Sequence, residues 1–357
     1  MGNSNPNFSL DIDTAKQELD NYYKQPFPKD FFFRDPPPAD NKTFELGLCF
    51  AGSVSAGAYI AGVADFLLEA LDAWEKAKTD APLTVPDHKV RLCAMSGASG
   101  GGMTALILGA AMNRAIVPAR SGNSPSFSEN PLYGTWVKGI DICNFLTTDD
   151  LQAEDAKVQT LLNSRRITEL GHEALAASNS PKIRPYLADV VHIAVTIANL
   201  KGVPYQFYLN GGTPDGYTAI KHEDVVRFAI RHGGNAYTFL PPLPNESLID
   251  LALRPASAGN ANGWPKEWML MAQAAMATGA FPIGLLPRDV VRPWNCCDPL
   301  ILPMEKGKTG KVAILHSTLS TPPGGLDSSL CVDGGTFNNE PFELARTYLA
   351  GLLVLLC

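Results

Sequence analysis

An apolar, strand-like stretch at Val90–Met95 leads through Gly97-Ala98-Ser99-Gly100-Gly101 into a stretch that stays apolar to Met112. The Gly-x-Ser-x-Gly spacing at a strand-to-helix junction describes a sharp elbow. The residues two before and two after the serine crowd one another there, and Gly97 and Gly101 remove that clash. Such a turn holds the Ser99 hydroxyl clear of the backbone, at the positive end of a helix. The amide of Gly100 would then face an oxyanion, and each such donor contributes roughly 3 kcal/mol of transition-state stabilisation. An ordinary glycine-rich turn is the competing reading. The flanking strand and helix favour the elbow, and with it a serine-nucleophile acyl hydrolase.

Composition narrows the setting. The 357 residues are 45% hydrophobic and 18% charged, enough for a large core in one large or two medium domains. The net charge is −7 with no long basic run, which argues against nucleic-acid binding and against a strongly electrostatic grip on anionic membrane. Cys49, Cys93 and Cys331 sit in apolar runs and read as buried small hydrophobes. With Cys143, Cys296, Cys297 and Cys357 they form no Cys-x-x-Cys pair and no disulfide framework, so a reducing compartment is favoured. The beginning Met1-Gly2-Asn3-Ser4-Asn5-Pro6 resembles a myristoylation site except that Pro6 stands where Ser or Thr is wanted. Neither a signal core nor a stretch of 18 apolar residues is seen. The expected location is cytoplasmic or peripheral to a membrane.

Strand and helix patterns alternate along the chain. Residues 1–43 read as a proline-rich arm with a short helix near Ala15–Tyr23, and residues 44–357 as the catalytic domain. Phe44–Phe50 reads as a first strand. The helix after it carries Ile60, Val63, Ala64, Leu67, Leu68, Leu71 and Trp74 on one face. Residues 115–185 interrupt the alternation and read as a cap insertion, whose acidic stretch at Asp149–Asp155 is a solvated helix start. Val190–Ile197 reads as a central parallel strand buried on both faces, with Tyr205–Leu209 as a neighbouring strand. Pro265–Ala280 is a helix with Pro265 in its first turn. Lys311–Leu315 and Leu330–Val332 are further strands. The alternation predicts an α/β fold, a three-layer α/β/α sandwich around a mainly parallel sheet.

A serine nucleophile needs a base. The six histidines are His88, His172, His192, His222, His232 and His316, so none follows residue 316. The Ser…Asp/Glu…His order of α/β-hydrolases is therefore hard to complete. His192 lies inside an apolar strand and reads as a core histidine. His222, His232 and His316 are possible bases by position. Asp333 is the sharper candidate: it ends Leu330-Cys331-Val332 and precedes Gly334-Gly335. If its strand neighbours the Ser99 strand, both side chains emerge on one sheet edge. There the carboxylate takes the hydroxyl proton directly, and partial burial raises its pKa. The competing reading is a structural Asp capping a Gly-Gly turn.

These segments together resemble the patatin-like phospholipases, over about residues 44–345. Gly97–Gly101 matches that family's nucleophile motif. Asp333-Gly334-Gly335, followed by Asn339 and Pro341, matches its second motif. Ala274–Pro282 looks like its helix end running into Phe-Pro, and Thr196–Asn199 is a weaker match. The resemblance implies a patatin-like sandwich with a Ser99–Asp333 dyad. It implies a phospholipase A or lysophospholipase acting on lipid or phospholipid esters through an acyl-enzyme, at a membrane surface, with no metal or organic cofactor.

One loop departs from the pattern. The family's glycine-rich loop usually reads Gly-Gly-Gly-x-Arg/Lys-Gly, and here it reads Gly52-Ser53-Val54-Ser55-Ala56-Gly57. The amides of Gly52, Ser53 and Val54 still serve as expected oxyanion donors, because any residue but proline supplies one. Ala56 replaces the cation. That loss keeps a catalytically silent lipid-binding or scaffold protein among the alternatives, beside a Ser–His–Asp esterase using His316 or His222. The apolar end, Leu352–Cys357, reads as a docked strand or as a truncated terminus.

Overall fold

The computed structural model describes residues 42–152, 157–176, 180–207, 216–232, 246–259, 263–293, 300–303, 312–315 and 325–350. The N-terminal arm with its short helix, His316, Cys296, Cys297 and the apolar end at Leu352–Cys357 lie outside the described residues.

Strands β1 (Thr43–Phe50) and β2 (Lys89–Gly97) pair in parallel and are joined by the 24-residue helix α1 (Gly57–Asp80). The buried stripe of α1 runs through Ala61, Ala64, Asp65, Leu68 and Leu71. Ile60, Leu67 and Trp74 pack at its margins, whereas Val63 points to solvent, because the stripe is narrower than the apolar spacing implied. β2 turns through the elbow into α2 (Ser99–Ala111), whose 13 residues are all buried. A helix so enclosed must find partners for its last carbonyls. Arg184 donates to the carbonyls of Met112 at 2.5 Å and Arg114 at 2.7 Å, and Arg254 donates to that of Ala110. The elbow thus starts a helix that is fixed at its far end.

Short helices, a π-helical turn at Gly134–Gly139 and helix α3 (Arg165–Ala176) lead to β3 (Leu187–Phe207). The two strands expected at Val190–Ile197 and Tyr205–Leu209 are this one 21-residue strand. A register shift lies between Ala198 and Val203, where Gly202 has φ +73° and the Asn199 side chain accepts the amides of Lys201 and Gly202. The irregularity is therefore a bulge that β3 passes through and not a loop between strands. Next come β4 (Tyr217–Arg231), β5 (Glu246–Asp250), α4 (Lys266–Thr278), β6 (Arg288–Pro293), β7 (Leu300–Pro303), β8 (Val312–Leu315), β9 (Leu326–Asp333) and α5 (Phe342–Ala350). Pro265 stands just before the first helical residue of α4, one position earlier than its sequence reading.

Helices flank the central sheet, as the strand–helix alternation requires. The sheet order is β1-β2-β3-β4-β5, with β9 on β3 and β6 on β9, while β7 and β8 form a separate ribbon. β1–β2, β2–β3 and β4–β5 are parallel; β3–β4, β3–β9 and β6–β9 are antiparallel. Two strands share one edge of β3. β2 runs along it until Gly97 pairs with Val195, and β9 runs the opposite way until Asp333 pairs with Ile197. Their C-terminal ends therefore meet head-on, two residues apart along β3. Neighbouring strands are the condition under which the sequence brings the two side chains to one edge. The end-to-end meeting brings Ser99 and Asp333 together instead.

Two glycines make opposite predictions. A Cβ on Gly101 would lie 2.2 Å from the Phe50 carbonyl oxygen, whereas one on the exposed helical Gly62 would meet nothing within 4 Å. Gly101→Ala is expected to destabilise by about 1–3 kcal/mol or more. Gly62→Ala is expected to stabilise by about 1 kcal/mol. Urea unfolding of both variants checks the pair; equal effects would contradict the packing described.

Candidate active site

Ala98 is extended (φ −129°, ψ 146°), and Ser99 opens α2 with φ +51°. A non-glycine residue in this left-handed region is strained by roughly 1–2 kcal/mol. Its surroundings hold it there. The Ser99 amide donates to Thr278 Oγ1 at 2.9 Å, and the Ala98 amide donates to the Phe50 carbonyl at 3.2 Å. A Cβ on Gly97 would lie 2.7 Å from the Gly101 carbonyl oxygen. The turn closes because Gly97 lacks one, and the bare Gly101 lets the end of β1 approach.

The Ser99 hydroxyl donates to Asp333 Oδ2 at 2.6 Å. Asp333 is held equally firmly. Its amide donates to the Ala280 carbonyl at 3.0 Å, and its Oδ1 accepts from the Gly335 amide at 2.7 Å. Gly334 is pressed against β3, where a Cβ would lie 2.1 Å from the Thr196 carbonyl oxygen. Burial raises the Asp333 pKa above the ordinary carboxylate range, and the hydrogen bonds from Ser99 and Gly335 oppose the rise. Asp333 is thus only 5% exposed, no cation offsets the effect of its burial, and its side-chain partner among the described residues is the Ser99 hydroxyl. That arrangement favours taking a proton from Ser99.

The loop after β1 lies over the elbow. A Cβ on Gly100 would lie 2.8 Å from the Ser53 carbonyl oxygen, and one on Gly52 would lie 3.1 Å from Ser99 Cβ. Gly52, Ser53 and Gly100 are therefore together, with Val54 exposed beside them. Gly52 needs a correction as a donor. Its amide is bonded to the Asn339 carbonyl at 2.8 Å, so its part is steric, and Ser53, Val54 and Gly100 stay as the candidate N–H donors. Ala56 supplies no cation; its carbonyl accepts the Ile60 amide in the first turn of α1.

Two of the described histidines have partners of their own. His192 is buried and bonded through Nδ1 to Glu246 at 2.8 Å, stacked on Tyr348, as a core histidine. His222 bonds the Asn199 carbonyl through Nδ1 at 2.8 Å. Burial pushes His232 down to about 3. Cys93 and Cys331 are buried, while Cys49 is only half-buried.

Residues 48–346 match the sequence pattern of the patatin-like phospholipases, which is most of the chain. The chain belongs to that family. It is also similar to the uncharacterized protein y4iI of Sinorhizobium fredii (strain NBRC 101917 / NGR234), at 36% identity over 324 residues. That match covers 85% of this chain and 45% of the relative, so the chain spans about half the length of the protein it matches. Family membership accords with the α/β sandwich and with the two motifs that meet on β3.

Three neighbours of the patatin-like site escape a reading by motif chemistry. Thr278 holds the Ser99 amide from the last turn of α4. Asn339 ties Gly52 through its carbonyl and, from Nδ2, through the Gly52 carbonyl at 3.3 Å. Trp136 fills the space left by Gly57, where a Cβ would lie 2.1 Å from the indole, and it also faces Gly100. Thr278 and Asn339 lie inside the family-like segments, which was their only signal. Trp136 had none.

The Asp333 shift has a stability consequence. The folded chain holds this proton more tightly than the unfolded chain does. Its contribution is fully present below the unfolded carboxylate pKa and is lost as pH rises through the folded one. Asp333→Asn is therefore expected to raise the melting temperature at pH 7, with the gain vanishing in acid. A lowered melting temperature at pH 7 would contradict the uncompensated burial.

Proposed function

We propose that this chain hydrolyses carboxylic esters of lipids, in the manner of a phospholipase A or lysophospholipase, through Ser99 and Asp333. The bond from Ser99 Oγ to Asp333 Oδ2 carries this reading, because it joins a strained serine to a buried carboxylate. Ser99 Oγ attacks the ester carbonyl as its proton passes to Asp333 Oδ2. The amides of Ser53, Val54 and Gly100 hold the oxyanion, at the positive end of α2. Collapse of the tetrahedral adduct breaks the ester C–O bond, and Asp333 returns its proton to the leaving alcohol. A water, deprotonated by Asp333, then attacks the acyl-enzyme; as the acyl C–O bond breaks, Asp333 returns that proton to Ser99 Oγ and the fatty acid leaves. The residues in these steps need no metal or organic cofactor.

Asp333 accepts the proton only when ionised. Activity therefore falls as pH drops through its raised pKa, so kcat/KM declines at a higher pH than an exposed aspartate would give. A limb at or below the ordinary carboxylate pKa would contradict the role.

The surroundings favour a lipid. Val54 is 85% exposed and Ile283 77% exposed, with Tyr59, Phe281 and Phe337 also open to solvent. Each is within a few residues of a group touching the site: Val54 follows Ser53, Phe281 follows Ala280, and the Phe337 amide bonds Gly334. Ile283 has φ +69°, a strained setting for a β-branched residue, and its carbonyl accepts the Leu161 amide. Exposed apolar side chains so close in sequence to the site residues fit contact with a lipid surface. Among the described residues, no helix is long and apolar enough to cross a membrane.

A soluble p-nitrophenyl ester and a phospholipid vesicle panel, read by product mass spectrometry, test the proposal. Ser99→Ala and Asp333→Asn should each abolish turnover on both. Ile283→Asn should keep soluble-ester turnover and lose vesicle turnover by about tenfold, through lost apolar contact. Fluorophosphonate labelling of Ser99 separates an enzyme from a silent lipid-binding protein, which would stay unlabelled. Wild-type turnover in Ser99→Ala would end the reading, and loss in a His222 or His316 variant with Asp333→Asn active would transfer it to a histidine.

A further inference from the structure

We propose that the side-chain hydroxyl of Ser53 is itself an oxyanion donor, added to the backbone amides. The inference rests on the Ser99–Asp333 reading and deepens it.

Three observations place the hydroxyl. Ser53 Oγ is buried and has no hydrogen-bond partner among the described residues. It lies 3.3 Å from the point where a Cβ on Gly100 would stand, and the Ser53 carbonyl oxygen lies 2.8 Å from the same point. On the next residue, a Cβ on Gly52 would lie 3.1 Å from Ser99 Cβ. The hydroxyl thus sits against Gly100 in the first turn of α2, and the residues preceding each, Gly52 and Ser99, also approach one another. The Trp136 ring reaches the same point at 3.1 Å, which limits water on that side.

A buried hydroxyl without an acceptor is disfavoured, since its lost hydration is not replaced. In the proposed tetrahedral adduct on Ser99, the carbonyl oxygen is the acceptor that this hydroxyl lacks. A donor that gains its partner only in the transition state lowers the barrier without tightening substrate binding. Serine hydroxyls are among the side chains that fill this role. The family's usual loop has glycine at this position and a cation three residues later. This chain has Ser53 and Ala56, so it carries a neutral side-chain donor where the usual loop has none and lacks the cation.

The test is steady-state kinetics on a soluble p-nitrophenyl ester, with melting temperatures, for Ser53→Ala and Ser53→Gly. Both keep the backbone amide and remove the hydroxyl. In each, kcat should fall roughly 100-fold. KM should stay within about twofold, as for an interaction made only in the transition state. The melting temperature should be unchanged or higher, because an unsatisfied buried hydroxyl is gone. Wild-type kcat in either variant, with Ser99→Ala inactive, would overturn the role of Ser53 and leave the dyad standing. A fall in kcat accompanied by a lower melting temperature would mark Ser53 as structural and also overturn it. Wild-type turnover in Ser99→Ala would overturn the dyad reading, and Ser53's role with it.

Discussion

Strand β3 is the ruler on which the site is laid out. β2 and β9 occupy the same edge of it from opposite directions, ending at Val195 and Ile197. Ser99 and Asp333 are 234 residues apart in sequence and meet because these two strand ends do. The meeting tolerates little bulk. Gly101 lies against the carbonyls of Phe50 and Ala51, and Gly334 lies against that of Thr196. Glycine at these points lets three backbones approach to a distance no side chain would allow.

The strain at Ser99 follows from this convergence. A serine at φ +51° persists only where its surroundings over-determine it. Thr278 fixes its amide, Asp333 fixes its hydroxyl, and Arg184 and Arg254 anchor the far end of α2. The same contacts set the chemistry. Asp333 is enclosed and no cation offsets the effect of its burial, so its negative charge is relieved by hydrogen bonds alone. A carboxylate so placed is a stronger base than a solvated one.

Much of this was legible in the chain. The elbow, Asp333, the helices after β1 and β2, and the strand ending in Asp333 all carry local signals: glycine spacing, apolar runs and a Gly-Gly turn. Other features depend on contacts distant in sequence. The continuity of β3 through Gly202 required the Asn199 side chain to bridge the bulge, and no local pattern announces that. The Gly52 amide looked available until Asn339, folded back beside it, accepted it. Trp136 lies in a segment with no regular period, yet its ring packs on two glycines of the site. The mainly parallel sheet expected from strand–helix alternation is present, with antiparallel pairing at β3–β4 and at β9. That strand arrives antiparallel to β3, and this is what sets its end against that of β2.

The claim that Ser99 is the nucleophile and Asp333 its base is tested most directly by trapping the intermediate. The protein is quenched in acid during turnover of a phospholipid with acyl chains of known mass, then digested and mapped by mass spectrometry. The account predicts an acyl adduct on the peptide containing Ser99 in the wild-type protein and none in Asp333→Asn. An adduct on another residue, or one that forms at the wild-type rate without Asp333, would contradict it.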